Sequence, residues 1–295
     1  MDIKESMFLA TMYQSAEARA NQTLKPTDKL GDDGLYMCTV CDEPTQYIHG
    51  YEGRDYKLAR QCACDREEVA QREADKERRD KLYLIEALKK KSFPNFRFRE
   101  FTFKGDDGRN AKTSKFCKSW ADNYKRMRDE NIGIMFYGGT GTGKSYFASA
   151  IANEVIEKQL ATVKMIDMNT LLNKTTSFET RQQTLDSLEG VDLLIIDDFG
   201  TSRNTEFVWE NVYTIINNRY MEGKLLIVTT NLAPSDFDPE SKDMPLDQAR
   251  VFDRILEMCP LEIKMSGGSR RKGSWNSKVD TAREIMEGGR SGSST

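Results

Sequence analysis

Two groups of residues in this chain have the types and spacing to do chemistry. The first is the run Gly138, Gly139, Thr140, Gly141, Thr142, Gly143, Lys144, Ser145. It fits the pattern G-x-x-x-x-G-K-[ST]. Glycines let a backbone curl so that several N–H groups point inward at phosphate oxygens, and a helix that begins there adds positive potential. Lys144 is placed to reach β- and γ-phosphates, and Ser145 to ligate Mg²⁺. The alternative, a glycine-rich turn with an incidental lysine, does not account for every consensus position being filled. The second group is Cys38-x-x-Cys41, then twenty residues, then Cys62-x-Cys64. Two close thiol pairs joined by a loop make a closed tetrahedral Zn²⁺ site, structural rather than catalytic. Iron–sulfur ligation uses the same four thiolates, but nothing else in the sequence favours it. His49, the only histidine, lies in the loop and is a spare ligand that four cysteines make unnecessary. Cys117 and Cys259 stand alone and read as packing residues.

Further acids, amides and arginines follow the phosphate loop in order. Leu193–Ile196 is an apolar run that ends in Asp197 and Asp198. In a phosphoryl-transfer site the first such acid holds Mg²⁺ and the next polarises the attacking water. Asp198 is one methylene shorter than glutamate, so slow turnover is expected. Leu226–Thr230 is a second apolar run, ending at Asn231, an amide placed to bond the attacking water or the γ-phosphate. Arg250 and Arg254 are four residues apart and share a helix face. Arg254 has two readings: a finger that completes a neighbouring subunit's site, or a surface ion pair with Asp253 or Glu257. Late in the chain, Ser269-Arg270-Arg271 offers an arginine to the γ-phosphate of its own site.

These residues need a scaffold, and the hydropathy pattern supplies one. Strand-like runs at 132–137, 162–167, 193–197 and 225–229 alternate with helical patterns at 145–158 and 206–221. A helix near 247–257 and a strand near 261–264 follow. Such alternation predicts a parallel sheet covered by helices. Ahead of it, residues 65–91 carry nine basic and eight acidic residues. Glu68/Arg72, Asp75/Arg79, Glu77/Lys81 and Glu86/Lys90 have the favourable acid-first i,i+4 order, which predicts a solvated linker helix.

Composition limits the classes available. The 295 residues contain 44 Lys+Arg against 47 Asp+Glu, a net charge of −3. That excludes a polycation that binds nucleic acid by overall charge, but not a local basic groove. Mean hydropathy is −0.66, and no run approaches the roughly 18 apolar residues of a membrane span. The N-terminus has no basic-then-apolar stretch, so a reducing cytoplasm is the expected compartment.

The set Gly138–Ser145, Leu193–Gly200, Thr229–Asn231, Arg250–Arg254 and Ser269–Arg271 resembles the AAA+ ATPase core. More narrowly, residues 92–275 resemble the DnaC/DnaI-type replicative helicase loaders and the related IstB-type transposition ATPases. The resemblance implies an α/β AAA+ P-loop fold, with a parallel sheet and helices on both faces. No C-terminal lid is expected, since 24 residues follow Arg271. It makes Arg254 the finger and Arg271 the second sensor. Arg270 stands where the family often has an aromatic, so the register between the two arginines stays open. The cysteine module resembles that of zinc-containing loaders, including phage ones, in which the N-terminal module grips the helicase.

Four regions are thus expected. They are a small α-helical zinc module at 1–64, a linker helix at 65–91, the ATPase at 92–275 and a partly disordered tail at 276–295. The implied cofactors are ATP, Mg²⁺ and Zn²⁺. The implied partners are a hexameric replicative helicase, single-stranded DNA and further copies of the chain in an ATP-dependent assembly. Single strands are held by stacking aromatics and basic side chains. Phe178 lies near where the family carries a DNA-contacting aromatic, with Lys174 one helical turn away; a core role for Phe178 is the equal alternative. Arg203 is a weaker DNA candidate. An IstB-like ATPase acting with a transposase on duplex DNA, and an adaptor that only binds nucleotide, are the competing functions.

Overall fold

The computed structural model describes residues 3–25, 28–175, 177–200, 206–236 and 244–288. At 3–5, 178, 206–208, 271–274, 276–277 and 287–288 only the backbone is described. The chain forms two compact units, Met1–Leu82 and Tyr83–Thr295.

The first unit starts with helix α1 (Ile3–Gln22). Two antiparallel pairs follow: β1 (Lys29–Leu30) with β2 (Tyr36–Met37), and β3 (Gln46–Tyr51) with β4 (Arg54–Ala59). The unit is therefore mixed α and β, where a helical module was expected. The period-2 pattern that marks strands is faint here, because β3 buries only Gln46, and β4 only Tyr56 and Leu58. Its small core is aromatic. Tyr13 of α1 packs against His49, Tyr51 and Tyr56, with ring centroids 4.8, 5.1 and 5.4 Å away. Helix α2 (Ala63–Ser92) begins in this unit and ends in the second. Only Ile85, Lys89 and Ser92 of its thirty residues are buried, as its charge pattern requires. Of the four acid–base pairs read from the sequence, Glu68–Arg72 is formed.

In the second unit the elements run α3 (Ala111–Asp122), α4 (Tyr124–Asp129), β5 (Ile134–Gly138), α5 (Lys144–Gln159), β6 (Val163–Asp167), α6 (Met168–Lys174) and α7 (Phe178–Glu189). Then come β7 (Leu193–Phe199), α8 (Glu206–Met221), β8 (Leu225–Thr230), α9 (Leu246–Met258), β9 (Leu261–Met265) and α10 (Arg270–Gly288). The five strands form one parallel sheet in the order β6-β7-β8-β5-β9. In the inner strands β5, β7 and β8 successive side chains alternate between two buried faces, which is why these strands are apolar runs. Ile134, Phe136, Leu193, Ile195, Leu225 and Ile227 join Trp120, Phe147 and Ile151 on one face. Met135, Leu194, Ile196, Leu226 and Val228 join Trp209, Ile216 and Phe252 on the other. Cys117 and Cys259 are wholly buried, one in each core. Within the stretch expected as a partly disordered tail, the backbone of 276–288 is helical, as the latter part of α10. Residues 289–295 lie outside the described residues.

The strand order matters for the site. Because β8 lies between β5 and β7, the chain that leaves β8 emerges between the phosphate loop and the paired acids. Ligands of open α/β sheets bind at such carboxyl ends of parallel strands.

Candidate functional site

The phosphate loop leaves β5 and opens α5 without a side-chain cap. The first N–H groups of this sixteen-residue helix are therefore not taken by a capping side chain, the arrangement that favours an anion. Two glycines are required by close approach. Gly141 has φ +79°, and a Cβ there would overlap the hydroxyl of Ser269. Gly143 has φ +106°, and its Cβ would sit 3.1 Å from Nε of Arg270. The chain after β9 thus lies along the loop, fastened by the Arg270 N–H, which donates to Gly141 O at 2.9 Å.

Lys144 is buried. Its ammonium donates to Gly138 O (2.8 Å), Gly139 O (2.9 Å) and Asn231 Oδ1 (2.7 Å). Thr142 closes the loop by donating to Gly139 O at 2.9 Å. Asp197 is buried at the end of β7, and burial pushes its carboxyl above the usual range. Hydrogen bonds from Thr229 and Ser145 and the charge of Lys144 oppose that shift. Ser145 and the Asp197 carboxylate are therefore neighbours at the carboxyl end of the sheet. Hard oxygen donors of this kind suit Mg²⁺.

The two acids lie on a β-bulge. The β7–β8 register runs Ile196 to Val228, then Phe199 to Thr230, so β7 carries one extra residue. Asp198 takes φ +53° there, and its N–H donates to Thr229 Oγ1 at 3.0 Å. A bulge re-aims side chains beside a site. The sequence signal for it is slight: two adjacent aspartates, with two threonines on the facing strand.

Arg270 is the arginine with a described side chain at the loop. Its guanidinium stands 5.4 Å from the ring centroids of Tyr146 and Phe147. Its Nη1 lies 3.3 Å from Asp106 Oδ1 and 3.3 Å from Asp107 Oδ1. Nε and Nη2 are buried without a hydrogen-bond partner among the described residues. The acidic partners, in the turn before α3, were missed by sequence reasoning. The side chain of Arg271 lies outside the described residues, as does Arg203.

Arg254 keeps to its own helix and its neighbour. It pairs with Glu257 at 3.4 Å and Asp253 at 3.8 Å, and stacks 4.1 Å over the ring of Tyr220. None of these partners belongs to the phosphate loop. Lys174 is exposed at the last residue of α6; Phe178 opens α7, and its side chain is not described.

In the first unit the Sγ atoms of Cys38, Cys41, Cys62 and Cys64 all lie within 4.8 Å of one another. A tetrahedral Zn²⁺ with bonds of about 2.3 Å needs sulfurs roughly 3.8 Å apart. The cluster fits with small adjustments. Glu43 joins its halves: its carboxylate accepts from Ala63 N–H at 2.8 Å and pairs with Arg66 at 3.2 Å. Backbone N–H groups, Cys64 first, bring the Cys41 thiol down to about 6. Burial raises Cys62 to about 11, and the bond to Cys41 raises Cys64 to about 12. Four thiolates this close need a cation to coexist. His49 is outside the cluster and packs on Tyr13.

A family model described as IstB-like ATP binding protein matches residues 63–277. The chain belongs to this IstB-like family. Its members share an ATP-binding domain, and the glycine loop, Lys144 and the paired acids lie inside the matched region. Among curated relatives, the replicative helicase loader DnaI of Bacillus subtilis is 25% identical over 148 residues, covering 47% of each chain. The phage-like element PBSX protein XkdC of the same organism is 23% identical and covers 80% of this chain and 83% of its own. Against several relatives, DnaI among them, the chain spans only about a quarter to a half of the relative's length. A crystal structure of DnaI superposes with a TM-score of 0.50 at 23% identity, over 61% of this chain and 95% of that one. The IstB-like domain of this chain therefore has the P-loop AAA+ fold. Among the described residues no helix is long and apolar enough to cross a membrane.

Proposed function

We propose that this chain is an ATPase that loads a replicative DNA helicase onto single-stranded DNA. One observation carries the catalytic half: Lys144, Ser145, Asp197 and Asn231 converge at the carboxyl ends of β5, β7 and β8. In this reading the loop N–H groups and Lys144 bind the phosphates. Ser145 and Asp197 hold Mg²⁺, which supplies charge neutralisation on the phosphate oxygens. Asp198 accepts a proton from the attacking water, and Asn231 orients that water. Arg254 leaves its pairing with Glu257 and completes the site of a neighbouring copy. Zn²⁺ on the four cysteines is structural, and the module it holds is the helicase-binding part. Lys174 and Phe178 contact the single strand, so binding falls as salt rises.

The loader reading is supported by a four-thiol module and an ATPase in one chain, and by the likeness to DnaI. It is tested by copurification with the host's replicative helicase and by ATP-dependent transfer of that helicase onto a single strand. Failure of the full chain to bind any replicative helicase would overturn it. The family description favours one second reading, an ATPase that assists a transposase on duplex DNA. Preference for duplex over single strands would select that reading.

A further inference from the structure

The bulge at Asp197–Asp198 lies in the place where the proposed mechanism needs two carboxylates held in fixed directions. Thr229, on β8, stands opposite it. Its side chain is fully buried, so no water can replace its hydrogen bonds. The hydroxyl donates to Asp197 Oδ1 at 2.5 Å and accepts from the Asp198 N–H at 3.0 Å. It uses its single proton and one lone pair at once. Its neighbour Thr230 bonds elsewhere, donating to Phe199 O at 2.8 Å and accepting from Leu232 N–H at 3.0 Å. Two adjacent threonines thus stitch β8 to β7 across the bulge, and the first of them bonds the acids.

We propose that Thr229 is the positioning residue for this acidic pair. It occupies one oxygen of Asp197, so that the carboxylate presents its other side to Ser145 and the cation site. It also fixes the peptide of Asp198, so that this carboxyl leaves the strand in the direction the bulge sets. Because Asn231 follows two residues later, just past the end of the same strand, the hydroxyl ties the position of the amide to that of the acids. The inference rests on the reading of the site as one for ATP hydrolysis, and it acts through Asp197 and Asp198 rather than on substrate.

Thr229→Val keeps the shape and removes both donor and acceptor; Thr229→Ser keeps the hydroxyl. Loss of such a partner typically costs about 10- to 100-fold in activity or metal affinity. T229V is therefore expected to lower kcat by about that factor, with KM for ATP changed less than about 3-fold. A second readout is thermal stabilisation by ATP with Mg²⁺, compared with ATP in EDTA. T229V should lose the Mg²⁺-dependent increment and keep the rest, and T229S should recover both properties to within about 3-fold of wild type. T229V with wild-type turnover and an intact Mg²⁺ increment would overturn the proposal, as would T229S as impaired as T229V. Amide exchange in the wild-type protein needs no variant to fold: the Asp198 N–H should be slow, and exchange at the rate of a free loop would overturn the hydrogen bond itself. A wild-type chain that neither binds nor hydrolyses ATP would instead overturn the functional reading, while the exchange result would still test the geometry.

Discussion

The ammonium of Lys144 lies 2.7 Å from the amide oxygen of Asn231, so the lysine of the glycine loop and the residue after β8 are joined directly. Lys144→Ala should abolish nucleotide binding measured by fluorescent ATP titration. Asn231→Ala should leave Kd within about 3-fold and slow hydrolysis about 100-fold, the scale for losing one oriented polar group at a reacting centre.

Arg270 and Arg271 compete for one role in the sequence. The structure brings the backbone of Arg270 onto Gly141 and its guanidinium beside Gly143. Arg270→Ala should therefore reduce hydrolysis by at least about 10-fold, and more than Arg271→Ala does, in parallel steady-state assays. Asp106→Asn should fall between wild type and Arg270→Ala, because it weakens one of the two carboxylates that hold the guanidinium.

Arg254 pairs within its own subunit here, and a trans role would show in mixtures. Lys144→Ala and Arg254→Ala should each be inactive alone. Mixed in equal amounts they should recover about a quarter of wild-type turnover, because a quarter of random neighbour pairs combine an intact loop with an intact finger. No recovery at concentrations where the chain self-associates would count against the finger.

The four-thiol cluster should carry about one zinc per chain by elemental analysis, and Cys62→Ser should lose it. Chelation should melt the first unit, since metal affinity and folding are one free energy in such modules. ATP should still raise the melting temperature of the second unit.

Arg219 gives a stability prediction remote from the nucleotide. It is buried and donates to four backbone carbonyls, those of Leu188, Val191, Asp192 and Leu225, at 2.7–3.4 Å. Burial lowers its pKa to about 10, still high enough to stay charged at neutral pH. Arg219→Leu removes those four hydrogen bonds and should cost about 3 kcal/mol in denaturant unfolding. The ATP affinity of the folded fraction should be unchanged.

The sheet was legible because its inner strands β5, β7 and β8 are buried on both faces and so read as apolar runs. The loop at 138–145 was legible because phosphate binding restricts both residue type and spacing. The strands of the first unit were not, since a two-stranded ribbon with one buried face and a few aromatic contacts leaves almost no periodic signal. Asp106 and Thr229 were also hidden. Each acts through a contact between elements far apart in sequence, Asp106 with Arg270 and Thr229 with Asp197. Pairings of that kind are set by topology and leave no local pattern.

Asp198 carries a further consequence. A residue with a Cβ at φ +53° holds a backbone that glycine adopts more easily, by about 1 kcal/mol. A library screened for heat resistance alone should drift towards glycine at this position and return proteins that outlast the parent yet have lost the carboxylate. On the proposed mechanism, selection for durability and selection for turnover pull this position in opposite directions.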